Sequence, residues 1–196
     1  MRILEGKWGG RVLTSPSGRV RPTAETVRFV LFPFIGVPPK GLRVLDLFAG
    51  TGAVGLEFLS RGASRCDFVE SGGSAIHALK ANVAKLRIPK GKVRVFVRDA
   101  IPWVEALPVG SYDVAYADPP WGSKKLDRVV ETWMARPFSR ILILEHPVDA
   151  ILPPLPEGAR SRVVGDAVLT LIEAPAGSEA PVESQSQAET ETPATP

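Results

Sequence analysis

The chain has 196 residues, 44% apolar and 23% charged, with a formal net charge of +3, which suits one enzyme-sized core and not a small disulfide scaffold. No run approaches the eighteen or so apolar residues of a membrane span, so no membrane partner is expected. One cysteine cannot form an internal disulfide, and with two histidines it leaves too few ligands for a zinc site, so no metal is expected either.

Met1 leads into Arg2-Ile3-Leu4-Glu5-Gly6 without the apolar stretch of an export signal, and a cytoplasmic monomer is the expectation. Ile3-Leu4 and Val12-Leu13 can pair as a short hairpin, and Val27, Val30, Leu31 and Phe34 line one face of a helix that Pro33 weakens near its end. The first 40 residues carry seven Lys and Arg against Glu5 and Glu25. That excess suggests a polyanionic partner, with Arg11, Arg19 and Arg21 as candidates for phosphate contact. Residues 1–38 are therefore read as a basic hairpin and helix preceding the main domain, residues 39–174.

Within that domain, strand and helix patterns alternate. Arg43 to Phe48 is an apolar strand, followed by the loop Ala49-Gly50-Thr51-Gly52 and a helix from Ala53 to Arg61. Cys66 to Glu70 is a second strand, and Ile76, Leu79, Val83 and Leu86 give the next helix its apolar face. Val93–Val97 and Tyr112–Ala117 are the third and fourth strands. Leu126, Val129, Val130, Trp133 and Met134 mark a helix before the strand Ile141–Leu144. Arg160–Val164 and Val168–Glu173 flank Gly165-Asp166 with no room for a helix, so they should pair antiparallel. The pattern is that of an α/β doubly wound, mostly parallel seven-stranded sheet, because parallel strands need crossovers. From Pro175 the chain carries four Glu, no Lys or Arg, and little apolar content, and 175–196 is expected to be a disordered tail. Without it the balance is 24 basic to 17 acidic residues.

Gly50-Thr51-Gly52-Ala53-Val54-Gly55 fits G-x-G-x-x-G between a strand and a helix, with Glu70 closing the next strand. Asp46, four residues before Gly50, argues against a pyrophosphate there and favours a cofactor cationic at its centre. S-adenosylmethionine is such a cofactor. Glu70 would accept hydrogen bonds from its ribose hydroxyls, and Asp99, in Arg98-Asp99-Ala100, would bind the adenine amino group. Asp118-Pro119-Pro120-Trp121 follows the fourth strand. Its carboxylate and carbonyls form an acceptor-only cup beside an aromatic plate, suited to a flat base bearing an exocyclic amine. The motif alone leaves guanine, adenine and cytosine open. Cys66 lies away from that loop and is read as structural, while His146, after Glu145, lies near the cleft. Trp8, Trp103 and Trp133 are read as packing residues, with stacking open for Trp8.

The stretch Leu45-Asp46-Leu47-Phe48-Ala49-Gly50-Thr51-Gly52-Ala53-Val54-Gly55-Leu56-Glu57, continuing through Leu59-Ser60-Arg61-Gly62-Ala63, resembles the RsmD family of bacterial small-subunit ribosomal RNA guanine-N2 methyltransferases. So do Arg2-Ile3, Gly6, Gly10-Arg11, Leu13, Arg21-Pro22-Thr23 and Val27-Arg28. The resemblance covers residues 2 to about 173 and implies a class I, Rossmann-like methyltransferase fold. It further implies that Asp46, Phe48, Gly50, Gly52, Glu70, Asp99 and Ala100 hold S-adenosylmethionine, with Thr23 and its neighbours folding against the methionine end. Asp118, Pro119, Pro120 and Trp121 would receive the base, and the substrate would be 16S ribosomal RNA in a small subunit or its assembly intermediate. Two departures stand out: Trp121 where Phe or Tyr is more frequent, and Phe29 where Glu is usual. Asp-Pro-Pro-Trp is also similar to adenine-N6 and cytosine-N4 enzymes, and adenine-N6 methylation of RNA or DNA is the alternative. A non-catalytic RNA-binding protein that keeps the fold is a further one.

Overall fold

The computed structural model describes residues 1–15 and 23–175, apart from the side chains of residues 23 and 24. The expectations for Arg19, Arg21, the Thr23 side chain and the tail beyond residue 175 lie outside these residues. Seven strands form one sheet: β1 (Arg43–Leu47), β2 (Arg65–Glu70), β3 (Val93–Val97), β4 (Tyr112–Ala117), β5 (Ser139–Pro147), β6 (Arg160–Val164) and β7 (Ala167–Glu173). Their order is β3-β2-β1-β4-β5-β7-β6. The five parallel strands are fed from the middle outward, and β7 and β6 close the far side antiparallel. Among the described residues, five helices pack on it: α1 (Thr23–Ile35), α2 (Ala53–Ser60), α3 (Gly73–Lys85), α4 (Ala100–Glu105) and α5 (Lys125–Ala135).

Alternate residues of the strands feed two apolar layers. Val44, Phe68, Val114, Tyr116 and Ile143 face α1, α2 and α3, whereas Leu45, Leu47, Ala115 and Leu142 face α4 and α5. The first layer also takes in Ile3, Trp8 and Leu13, so the N-terminal segment shares the core of the sheet. The hairpin is reduced to a single bridge between Arg2 and Val12, with Ile3 N–H donating to Arg11 O and Gly10 N–H to Ile3 O. A 3-10 turn, Gly6–Trp8, occupies the space between its arms, and Trp8 is buried as a packing residue.

Two elements depart from the sequence expectation, β5 and α4, while α1 meets it and runs one residue past Phe34. Strand β5 runs from Ser139 to Pro147 because β7 pairs with it from Ile141 to Pro147. Helix α1 continues through Pro33 to Ile35 before Gly36, at φ +73°, turns the chain away. Helix α4, the crossover between β3 and β4, is absent from the pattern of apolar residues. It has only six residues, too few for a period to repeat, and Pro102 sits in its first turn, where a missing N–H costs nothing.

Candidate active site

The carboxyl ends of β1, β2 and β4 meet beside the glycine loop, at the crevice where ligands bind open α/β sheets. Backbone geometry shapes this crevice first. Gly50 and Gly52 have φ of +57° and +78°, and Gly52 N–H donates to Ala49 O at 2.7 Å, closing a tight turn between β1 and α2. A Cβ on Gly52 would lie 2.3 Å from Leu79 Cδ1, and one on Gly55 would lie 2.5 Å from Cys66 Sγ. These two glycines therefore let α2 sit close on β2 and α3, whereas a Cβ on Gly50 would meet nothing nearer than Phe48 O at 3.9 Å. Phe48 itself is held at φ +56°, a conformation costing a non-glycine residue on the order of 1 kcal/mol, at the lip of the crevice.

Asp46, Phe48, Gly50 and Asp118 line one cavity of about 170 Å³, together with Tyr116 and Glu145. Asp46 is buried and accepts the Gly55 N–H at 2.9 Å. Burial pushes its carboxyl up to about 8; the Gly55 N–H partly offsets this, and the neighbouring Asp118 and Glu70 carboxylates add to it. Arg28 also lines the cavity, but it is paired with the buried Glu57 at 2.9 Å. Desolvation lowers the Arg28 guanidinium, and Glu57 and Glu25 oppose that shift. The cavity is thus rich in carboxylate, and a cation placed beside Asp46 would restore its ionised form.

Glu70 stands at the loop's other side. One oxygen accepts Gly50 N–H at 2.8 Å, and the other accepts Ser71 N–H at 2.8 Å and Gly72 N–H at 2.7 Å. Asp99 caps α4, accepting Ile101 N–H at 2.9 Å, and its second oxygen takes Lys125 Nζ at 2.7 Å. That lysine hydrogen bond, with the Ile101 N–H next, holds the Asp99 carboxyl below its usual range. Lys125 Nζ also lies 5.7 Å from the centre of the Phe48 ring, so Phe48, Lys125 and Asp99 form one rim. Ala100, the first residue of α4, is buried beneath it.

The Asp118-Pro119-Pro120-Trp121 segment divides between two cavities. Asp118 faces the small one, while Pro119, Pro120 and Trp121 line a second of about 760 Å³, bounded opposite by Glu145 to Ile151. The acceptor cup is narrower than expected, because Pro120 O already accepts the Ser123 N–H at 3.2 Å and its hydroxyl at 2.6 Å. Arg11 is exposed on the N-terminal segment, away from both cavities. His146 lines the larger cavity, but its ring is tied to Thr170 Oγ1 and Pro147 O, both at 2.9 Å. Among the described residues no group of three or more His, Cys, Asp or Glu is arranged to hold a metal ion. No helix there is long and apolar enough to cross a membrane.

Three residues that the sequence reading passed over organise this region. Glu57 gathers the Leu4 N–H, the Glu5 N–H, Arg28 and Arg61 at 2.8 to 3.0 Å. Asn82, the single asparagine of the chain, accepts Thr14 N–H at 2.6 Å and donates to Thr14 O and Thr51 O at 3.0 Å, tying the N-terminal segment to the glycine loop. Glu145 borders both cavities. Their signal in sequence was a polar residue at an apolar position: Glu57 and Asn82 on the inner faces of their helices, Glu145 ending Ile-Leu-Ile-Leu.

A parallel sheet of this order, closed by an antiparallel pair and bearing an acid-plus-glycine loop beside the acid-Pro-Pro-Trp turn, defines a Rossmann-like class I methyltransferase fold. The chain belongs to the family described as conserved hypothetical protein 95, whose model matches residues 1–171. It is 31% identical over 180 residues to the ribosomal RNA small subunit methyltransferase D of Escherichia coli K12, covering 87% of this chain and 88% of that one. The Haemophilus influenzae protein of the same name is 32% identical over 123 residues, 62% of this chain and 64% of that one. Among solved structures, a hypothetical protein of Thermus thermophilus superposes with a TM-score of 0.73 at 32% identity, covering 89% of this chain and 99% of that one.

Proposed function

We propose that the protein transfers a methyl group from S-adenosylmethionine to the exocyclic N2 amine of a guanine in 16S ribosomal RNA, presented in a small subunit or its assembly intermediate. The observation that carries this reading is that one continuous segment serves two cavities: Asp118 lines the small one with Asp46, and the next three residues, Pro119-Pro120-Trp121, line the large one. A methyl donor in the first would meet a base in the second. The names borne by the relatives supply the ribosomal RNA.

The residues fit the cofactor by charge. The small cavity is lined by the carboxylates of Asp46, Asp118 and Glu145 and suits the cationic ammonium and sulfonium end of S-adenosylmethionine, which when bound supplies an electrophilic methyl group. Asp46 would hold the ammonium group. Phe48 and Ala100 would border the adenosine half, and Thr23 and its neighbours would close over the methionine end. Glu70 keeps one of about four acceptor positions for a ribose hydroxyl while its three backbone bonds persist. Asp99 could reach the adenine amino group by sharing the oxygen now taken by Lys125.

The base, extruded from its RNA, would stack on Trp121 with its amine against Asp118. Asp118 accepts one amine hydrogen and aims the nitrogen lone pair along the cavity axis. The amine nitrogen would take the methyl group that the cofactor supplies, and Asp118 or water would then take the proton from the cationic amine. No strong base is needed, since the amine becomes acidic only after it is alkylated. Arg11, with Arg19 and Arg21, would contact phosphates.

The test is incubation with labelled S-adenosylmethionine and small subunits lacking their methyl groups, followed by digestion to nucleosides. N2-methylguanosine is expected, falling by about 10² or more in Asp118→Ala. N6-methyladenosine would establish the adenine reading. Cofactor binding without label in any RNA would establish a non-catalytic protein.

A further inference from the structure

Glu145 is a buried carboxylate to which the methyl transfer above gives no role toward the base. It ends the apolar core of β5, and its neighbour Leu144 pairs with Ala117 of the parallel strand β4. Glu145, still within β5 and paired with Leu169 of β7, and Asp118, just past the end of β4, therefore lie side by side. Glu145 is 8% exposed, and it borders both the cavity of Asp46 and Asp118 and the cavity of Trp121. Tyr116, buried two residues before Asp118, donates its hydroxyl hydrogen to Glu145 Oε2. Burial, with Glu145 and Asp118 nearby, pushes that phenol well up, so it remains a donor and the carboxylate stays oriented.

We infer that Glu145 reads the edge of the target base and is the residue that selects guanine. This rests on the proposed function and names the specificity element of that same site. Guanine presents two neighbouring donors on its Watson–Crick edge, N1–H and the N2 amine. Adenine presents its N6 amine beside an acceptor, N1, and cytosine its N4 amine beside an acceptor, N3. While both are ionised, two adjacent carboxylates accept only. With Asp118 on the amine, Glu145 accepts the N1–H of guanine, whereas in adenine or cytosine its oxygen faces a ring-nitrogen lone pair in a desolvated pocket. A site built to pair a polar group rejects the analogue that cannot provide it far more strongly than a shape mismatch alone would.

The discriminating probe is 2-aminopurine, which keeps the 2-amine, replaces N1–H by a bare acceptor and drops the 6-oxo group, the last a loss that wild type and variants share. The guanine methylated by the wild-type protein is first mapped in the small subunit, and subunits are then reconstituted with 2-aminopurine at that position. The wild-type kcat/KM should fall by about 10² or more on this replacement. Glu145→Gln, whose amide can donate to N1, should lower kcat/KM for guanine and bring the two substrates within about tenfold of each other, a ratio that any common change in S-adenosylmethionine affinity leaves unmoved. Tyr116→Phe, which keeps the volume and releases the carboxylate, should narrow the ratio in the same direction and serves if Glu145→Gln fails to fold. Equal wild-type rates on guanine and 2-aminopurine, or full discrimination retained in a folded variant, would overturn the inference. A wild-type product other than N2-methylguanosine would instead overturn the proposed function beneath it.

Discussion

Arg28 and Glu57 form an ion pair at 2.9 Å with 1% and 0% of their side chains exposed, and this pair joins α1 to α2. Glu57 in addition accepts Arg61 and the backbone N–H groups of Leu4 and Glu5, so one carboxylate satisfies four donors from three parts of the chain. A buried charge so completely paired contributes little over an apolar residue, but removing one partner leaves the others unmatched.

Glu57→Ala should therefore destabilise the fold by about 3–5 kcal/mol. Glu57→Gln, which keeps an acceptor for one or two donors, should cost less. Urea unfolding followed by tryptophan fluorescence reads both, and a loss under about 1 kcal/mol for the alanine variant would show that the joint is dispensable.

Gly6 and Gly10 make a controlled pair. Both have positive φ, +81° and +78°, but a Cβ on Gly6 would lie 2.0 Å from Ser60 O, and one on Gly10 would meet nothing within 4 Å. Gly10→Ala should cost about 1 kcal/mol, the conformational penalty alone. Gly6→Ala adds a clash with backbone that cannot swing aside and should cost about 3 kcal/mol. Equal melting temperatures for the two would contradict the close approach of the 3-10 turn to the end of α2.

Asp46 makes the ligand-free protein sensitive to pH. Folded, it keeps its proton up to about pH 8, whereas an unfolded aspartate releases it near pH 4. Between those values the folded state holds the extra proton, so the contribution of Asp46 to stability is full below about pH 4 and is lost as pH rises toward 8. Asp46→Asn should flatten that decline in melting temperature between pH 5 and 8. The same variant should lose S-adenosylmethionine binding. In the wild type, cofactor affinity should rise from pH 6 toward 8 as Asp46 ionises, and calorimetric titration across that range measures it. An affinity flat with pH would place the ammonium group elsewhere.

Arg11→Glu should weaken binding to small-subunit RNA and reduce the slope of log K against log salt by about 1, with S-adenosylmethionine affinity unaltered. An unchanged slope would make Arg11 a solvated surface charge.

The strand-and-helix alternation, the antiparallel close of the sheet and the two motif loops were legible in the sequence because each is written locally: a run of apolar residues, a period of 3.6, a cluster of glycines or prolines. The short helix α4 was not legible, since six residues hold less than two turns, and the length of β5 was not, since β7 sets it from twenty residues away. The tertiary structure alone decided what the isolated polar residues do. Glu57, Asn82 and Glu145 each sit within an apolar stretch, and the chain does not say which distant donors or cavities they will meet. Asp99 shows the converse: its place after β3 was plain, yet its engagement by Ile101 N–H and Lys125 depends on α4 and α5 packing side by side. Local periodicity determines elements because backbone hydrogen bonding and side-chain spacing act within a few residues; hydrogen-bond partners of buried polar groups are determined by packing, which brings together residues the chain holds far apart.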